Sequence, residues 1–334
     1  MIVVLEEKIK KEDKEKIHDF LNEKNVSFIE IKGKFSIIYL DEITWDNMEK
    51  LKKFQGILKI YEKDHPFLKA SREIYKEDTL IDIKGKKIGK GNFINISGPC
   101  SVESKESLFE IASSIKESGG DILRAGTFKL RTSPYSFQGL GNEGLKILIE
   151  IGNYFNMPVV SEIVDPRQIE DFLSLDIIQV GARNMKNYEL LKELGKINKP
   201  IILKRGMDAT IDELLQSAEY ILIGGNENVI LCERGIRTFE KRTRNTLDLS
   251  SVQILKELSH LPVIVDPSHG VGIRRFVKSL SFASAAIGAD GLMIESHNNP
   301  DKALSDNLQQ VDLEEYRKIL LGVRKILELN IYED

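Results

Sequence analysis

Cys100 is one of only two cysteines, and it stands in "GPCSVES" directly after the β-branched run "FINIS". A thiol on a turn past a strand can be an inert buried group, a nucleophile or a metal ligand. Its companions narrow the choice. Eight short apolar runs of the chain end in polar residues. Cys100 follows the first. Arg124, with Lys129 and Arg131 close behind, follows the second. Glu162 and Asp165 belong to the third, Arg183 to the fourth, and Lys204 with Arg205 to the fifth. Cys232, Glu233 and Arg234 end the sixth, Asp266, Ser268 and His269 the seventh, and Glu295, followed by His297, the eighth. Two chemistries are present. Arg124, Lys129, Arg131, Arg183, Lys204 and Arg234 would repel one another at a common mouth unless anions neutralise them. Protein carboxylates can do part of that. So many cations imply a ligand with several anionic groups, such as phosphates and a carboxylate, which guanidinium forks bind bidentately. Cys100, His269 and Glu295, with Asp306 or Asp301 from "NNPDKALSDNLQQ", form a sulfur, nitrogen and oxygen set. It suits Mn²⁺, Fe²⁺, Co²⁺ or Zn²⁺ better than Ca²⁺. Cys232, inside "VILCERG", reads as a core thiol. His18 and His65 read as surface residues and His260 as a helix-end histidine.

These groups meet only if all eight runs end on one side of the molecule. Apolar strands separated by amphipathic helical patterns such as "GLKILIEIGNYFN" and "NYELLKELGKIN" predict a (β/α)8 TIM barrel over residues 79–334, whose C-terminal strand ends carry the chemistry. An open doubly wound sheet would want a Gly-rich turn after its first strand, and "GPCSVES" is not G-x-G-x-x-G. Residues 1–65 read β-α-β-β-α-β, a small ferredoxin-like domain. Its second helix, "TWDNMEKLKKFQG", has Thr44 as N-cap and Gly56 as stop, and Lys32-Gly33-Lys34 is a hairpin turn. RNA-recognition modules share this order. However, "KGKFSIIY" puts Lys34 and Ser36 where stacking aromatics belong, and no arginine precedes Arg72. A regulatory or dimerising module fits better. Residues 66–78 read as a linker, and "LIDIKGKKIGKG" as a hairpin that opens the second domain.

The 334 residues are 41% hydrophobic and 30% charged with a net charge of -4, so no basic bias points to nucleic acid or membrane. Two cysteines make no disulfide framework, which indicates a reducing cytoplasm. "MIVVLEEKIKK" has its apolar run before its charges and is too short for a signal peptide or a membrane span.

The segments "GPCSVES", "LRAGTFKLRTSPYSFQG", "VGARN", "LKRG", "CERGIRTFE", "DPSHGVG" and "MIESHNNPDKALSD" resemble the 3-deoxy-D-arabino-heptulosonate 7-phosphate (DAHP) synthases. The likeness runs from about Ile94 to Asp312, and the N-terminal domain is similar to that of the short microbial type. The resemblance implies a metal-dependent, aldol-like transferase reaction that joins phosphoenolpyruvate to erythrose 4-phosphate and releases phosphate. That reaction opens the shikimate pathway to chorismate and the aromatic amino acids. By motif, the metal ligands would be Cys100, His269, Glu295 and Asp306. Phosphoenolpyruvate would be held by Arg124, Lys129, Arg183, Lys204 and Arg234. Erythrose 4-phosphate would meet Arg131, Thr132 and Ser133. Glu162 would stand near the reacting carbons, with Glu162 or Lys129 managing a proton. A homotetramer and feedback inhibition by tyrosine or phenylalanine at the N-terminal domain are also implied. The family's usual Lys-Pro-Arg-Thr is here Lys129-Leu130-Arg131-Thr132. Without proline the loop is less preset, so weaker sugar-phosphate binding is expected. A sister family, the 3-deoxy-D-manno-octulosonate 8-phosphate synthases, takes arabinose 5-phosphate and typically has Ala-Asn-Arg-Ser in this loop. "LRTS" favours the four-carbon sugar. A catalytically dead aromatic-amino-acid sensor is the alternative from another class, and the full set of ligands and cations argues against it.

Overall fold

The computed structural model describes residues 1–31, 35–61, 67–130, 133 and 135–329. The chain divides into two compact units, Met1–Leu68 and Lys69–Asp334.

The first unit runs β1 (Ile2–Leu5), α1 (Lys11–Glu23), β2 (Phe28–Ile31), β3 (Ile37–Leu40), α2 (Trp45–Leu51) and β4 (Ile57–Tyr61). Its strands form an antiparallel sheet in the order β2-β3-β1-β4. Strand alternation sends Val3, Leu5, Ile38 and Leu40 to one face, where they join Ile17 and Leu21 of α1 and Leu51 of α2 in one core. Thr44 caps α2 by accepting the Asn47 N–H at 3.4 Å. The helix ends at Leu51, short of the expected stop at Gly56. Lys53 and Phe54 close turns onto Lys50 and Leu51, and Gly56, at φ +88, makes the turn into β4. The Lys32-Gly33-Lys34 turn and His65 lie outside the described residues.

The second unit opens with a hairpin, β5 (Ile81–Ile83) and β6 (Lys86–Ile88). Eight parallel strands follow: β7 (Ile94–Gly98), β8 (Ile122–Arg124), β9 (Val159–Ile163), β10 (Ile177–Val180), β11 (Ile201–Lys204), β12 (Val229–Glu233), β13 (Val263–Val265) and β14 (Gly291–Glu295). Pairing of β14 with β7, from Gly291↔Ile94 to Glu295↔Gly98, closes the expected barrel. Ile81, Ile83 and Ile88 of the hairpin join Ile96, Ile122, Val160, Ile202, Ile230, Cys232 and Met293 in one buried cluster. The barrel interior is therefore packed, and ligand space is left at the strand ends. Cys232 belongs to that core, as expected.

His269 sits past β13 on a short helix, Pro267–Val271. Asp266 caps it through the His269 N–H at 2.9 Å, and Pro267 occupies the first turn, where its missing N–H costs nothing. Among the described residues, no helix is long and apolar enough to cross a membrane.

Candidate metal centre and anion-binding cavity

Four ligand atoms, one each from Cys100, His269, Glu295 and Asp306, lie within 4.8 Å of one another. Glu295 ends β14, and Cys100 follows β7, the strand β14 pairs with. The Cys100 turn lies close on β8, because a Cβ on Gly98 would collide with the Arg124 carbonyl. Asp306 adopts a left-handed φ of 51°, which aspartate tolerates better than most residues and which is often stored at functional sites. The Cys100 thiol is 3.3 Å from Asp306 Oδ2. His269 Nε2 is 3.3 Å from Glu295 Oε1 and 3.7 Å from Asp306 Oδ2. Asp301, the other candidate, is 84% exposed and pairs with Arg274.

The electrostatics fit a cation. Burial, with Glu295 beside it, pushes the Cys100 thiol up to about 12 against the pull of Lys129. Burial opposes the charge of Glu295, but His269 and Arg124 outweigh it and hold the carboxyl below its ordinary range. Burial also opposes Asp306, and His269 and Arg244 bring it down. Burial lowers His269 despite Asp266, which favours the neutral imidazole. His269 Nδ1 is engaged by Asp266 Oδ2 at 2.7 Å, so Nε2 is the nitrogen turned toward the carboxylates. A carboxylate–histidine pair of this kind fixes the tautomer that a metal requires. A thiol, an imidazole and two carboxylates crowded together in a buried site are a borderline divalent ligand set.

Beside the cluster lies a cavity of about 300 Å³ lined by Lys129, Ser133, Glu162, Arg183, Lys204, Arg234, Arg244, His269 and Asp306. The cations are not equivalent. Lys204 is already bonded to Asp266 at 2.6 Å. Arg205 points the other way and is bound by Glu233 and Asp248 at 2.9 and 3.0 Å. Among the described residues, no carboxylate lies within salt-bridge distance of Lys129, Arg183 or Arg234. Burial lowers Arg234, and the Arg244 charge adds to this against Asp266. Such a site calls for an anion. Lys129 Nζ is 3.1 Å from the Cys100 sulfur, which places this cation between metal cluster and cavity.

Arg124 is placed differently from its strand-end companions. It is 1% exposed, absent from the cavity lining, and bonded to Glu295 at 2.6 Å and the Pro99 carbonyl at 3.3 Å. Glu162 lines the cavity and accepts the Gln179 amide at 2.7 Å. Asp165 instead caps a short helical turn and pairs with Arg167. His297 is buried 3.4 Å from Glu103. Arg131 and Thr132 lie outside the described residues. Two residues of this region escaped sequence reasoning: Arg244, in a long loop, and Gln309, past Asp306.

The profile of the DAHP synthetase I family matches residues 74–328. The phospho-2-dehydro-3-deoxyheptonate aldolase of Thermotoga maritima is 45% identical over 336 residues, covering 98% of each chain. The crystal structure of that Thermotoga maritima aldolase matches with a TM-score of 0.79 at 43% identity, covering 98% of this chain and 97% of its own. The 2-dehydro-3-deoxyphosphooctonate aldolase of Geobacter sulfurreducens is 32% identical over 266 residues, 74% of this chain and 97% of its own.

Proposed function

Because the chain belongs to the DAHP synthetase I family, we propose that it joins phosphoenolpyruvate to erythrose 4-phosphate, giving DAHP and inorganic phosphate. The observation that carries this reading is the pairing of a four-residue set of metal-ligand types with a cavity whose Lys129, Arg183 and Arg234 have no carboxylate partner among the described residues. The heptonate relative matches nearly the whole chain, which favours the four-carbon acceptor over the pentose taken by octonate enzymes.

Cys100, His269, Glu295 and Asp306 would hold the metal, one of Mn²⁺, Fe²⁺, Co²⁺ or Zn²⁺. When bound, it supplies Lewis acidity to the acceptor aldehyde. The protein supplies positioning. Lys129, Arg183 and Arg234 bind the phosphate and carboxylate of phosphoenolpyruvate, and Lys204, held by Asp266, adds charge to the cavity wall. Arg124 acts from beneath by fixing Glu295. Ser133, with Arg131 and Thr132, meets the sugar phosphate. C3 of phosphoenolpyruvate bonds to the aldehyde carbon, whose oxygen takes up a proton; water adds at C2 and gives up one proton; the new C2 hydroxyl then loses its proton to the departing phosphate as the C–O bond breaks, leaving the ketone. Glu162 takes the proton of that water, with Lys129 as the cation across the cavity. Feedback inhibition by tyrosine or phenylalanine at the N-terminal unit, a homotetramer and a cytoplasmic location complete the proposal.

The test is phosphate release from phosphoenolpyruvate with each acceptor. Erythrose 4-phosphate should support turnover, arabinose 5-phosphate should not, and EDTA should stop the reaction until metal is restored. Turnover only with arabinose 5-phosphate would move the chain to the sister reaction. No turnover with either acceptor at any metal would leave the sensor reading. Tyrosine or phenylalanine in the same assay tests regulation.

Gly181 tests Glu162 without touching its charge. A Cβ at Gly181 would meet the Glu162 carboxylate, whose end can swing aside while the fold survives. Gly181→Ala should lower kcat by about a hundredfold, the cost of misplacing a reacting group by about 1 Å. Unchanged kcat in a folded variant would remove Glu162 from the proton step.

A further inference from the structure

Gln309 is 2% exposed and lies between groups of opposite hydrogen-bonding character. Its Nε2 donates to Glu295 Oε2 at 2.6 Å and more weakly to Asp306 Oδ2 at 3.4 Å. Its Oε1 accepts from Arg244 Nη1 at 2.8 Å, and the same Nη1 is 3.4 Å from Asp306 Oδ1. The amide orientation is forced. A guanidinium can only donate and a carboxylate can only accept, so Oε1 must face Arg244 and Nε2 the carboxylates. Aspartate or glutamate here would add a carboxyl group against two others. An apolar residue would leave the buried Glu295 Oε2 without this donor and the half-exposed Arg244 without this acceptor.

We propose that Gln309, anchored by Arg244, is a positioning residue that holds the two carboxylates of the metal centre in ligating orientation. The inference rests on Cys100, His269, Glu295 and Asp306 being the ligands. The other two ligands have supports of their own. His269 is held by Asp266. The Cys100 backbone N–H is held by Gln310 Oε1 at 3.0 Å, and Gln310 Nε2 in turn donates to the Ser305 carbonyl at 2.8 Å. Gln309 therefore serves the oxygen half of the site. Its loss should discriminate between metals. Mn²⁺ depends on oxygen donors, whereas Zn²⁺ is retained by thiolate and imidazole.

The experiment compares the full-length wild type with Gln309→Leu, Gln309→Asn, Arg244→Lys and Asp306→Ala. Dissociation constants for Mn²⁺ and Zn²⁺ are measured by chelator competition, and thermal melting is followed in EDTA. Gln309→Leu should stay folded in EDTA, melting a few degrees below wild type for the lost buried hydrogen bond, and bind Mn²⁺ about ten- to a hundredfold more weakly, the range for loss of an outer-sphere partner. Its Zn²⁺ affinity should fall by a smaller factor. Arg244→Lys, which keeps a donor, should lie between wild type and Gln309→Leu. If Gln309→Leu fails to fold, the shorter amide of Gln309→Asn carries the same Mn²⁺-over-Zn²⁺ comparison. Equal loss of both metals, or wild-type affinity for both while Asp306→Ala loses them, overturns the role of Gln309 and leaves the ligand assignment standing. Wild-type affinity in Asp306→Ala as well would instead overturn the ligand assignment.

Discussion

Cys100→Ala is expected to lower kcat/KM by about a thousandfold while leaving the metal-free protein folded. The factor corresponds to roughly 4 kcal/mol of transition-state stabilisation, within what a Lewis-acid metal contributes. The structural cost is small by comparison. The side chain is buried, and truncation removes one sulfur from a polar pocket, for about 1 kcal/mol. What the sulfur touches is the centre itself: Ser305 Oγ at 3.1 Å, Lys129 Nζ at 3.1 Å and Asp306 Oδ2 at 3.3 Å. Circular dichroism should match wild type and melting in EDTA should fall by only about 2–4 °C, while steady-state phosphate release collapses. Full activity of the variant with metal chelated would show that Cys100 is a packing residue.

Arg124→Met should strongly destabilise the barrel unit. Arg124 and Glu295 are both buried, and their 2.6 Å bond is direct. Burial alone would lower the Arg124 pKa, and Glu295 and Cys100 more than restore it. Removing one member of a buried pair leaves an uncompensated charge, at about 3–5 kcal/mol. For a unit of this size that is roughly 10 °C in melting temperature. Because a metal would neutralise the stranded Glu295, added Mn²⁺ or Zn²⁺ should raise the variant's melting temperature by more than it raises the wild type's. Arg124→Lys, which keeps the charge with fewer donors, should be intermediate. Melting of Arg124→Met at the wild-type temperature in EDTA would show that the pair carries no such weight.

The barrel was legible because its eight strands are short apolar runs, each closed by a polar residue. Position at a strand end did not say which way a side chain points. Lys204 and Arg205 are adjacent, so strand alternation sends Lys204 to Asp266 and the cavity and Arg205 to Glu233 and Asp248. Arg124 looked like a ligand-binding cation. Its burial depends on Glu295, which is far away in sequence on the strand that pairs with β7. His269 looked like the end of a strand, although Asp266-Pro267 already carried the signature of a helix start. Arg244 and Gln309 were invisible for another reason: loops have no periodicity, and an amide's role emerges only when its donors and acceptors are in place.

X-ray absorption at the zinc edge of the fully loaded protein tests the metal centre most directly. One sulfur at about 2.3 Å and three nitrogen or oxygen neighbours at about 2.0–2.2 Å are expected, with the sulfur lost in Cys100→Ala. A wild-type shell of light atoms only, or a sulfur that persists without Cys100, would contradict the assignment of Cys100 as a ligand.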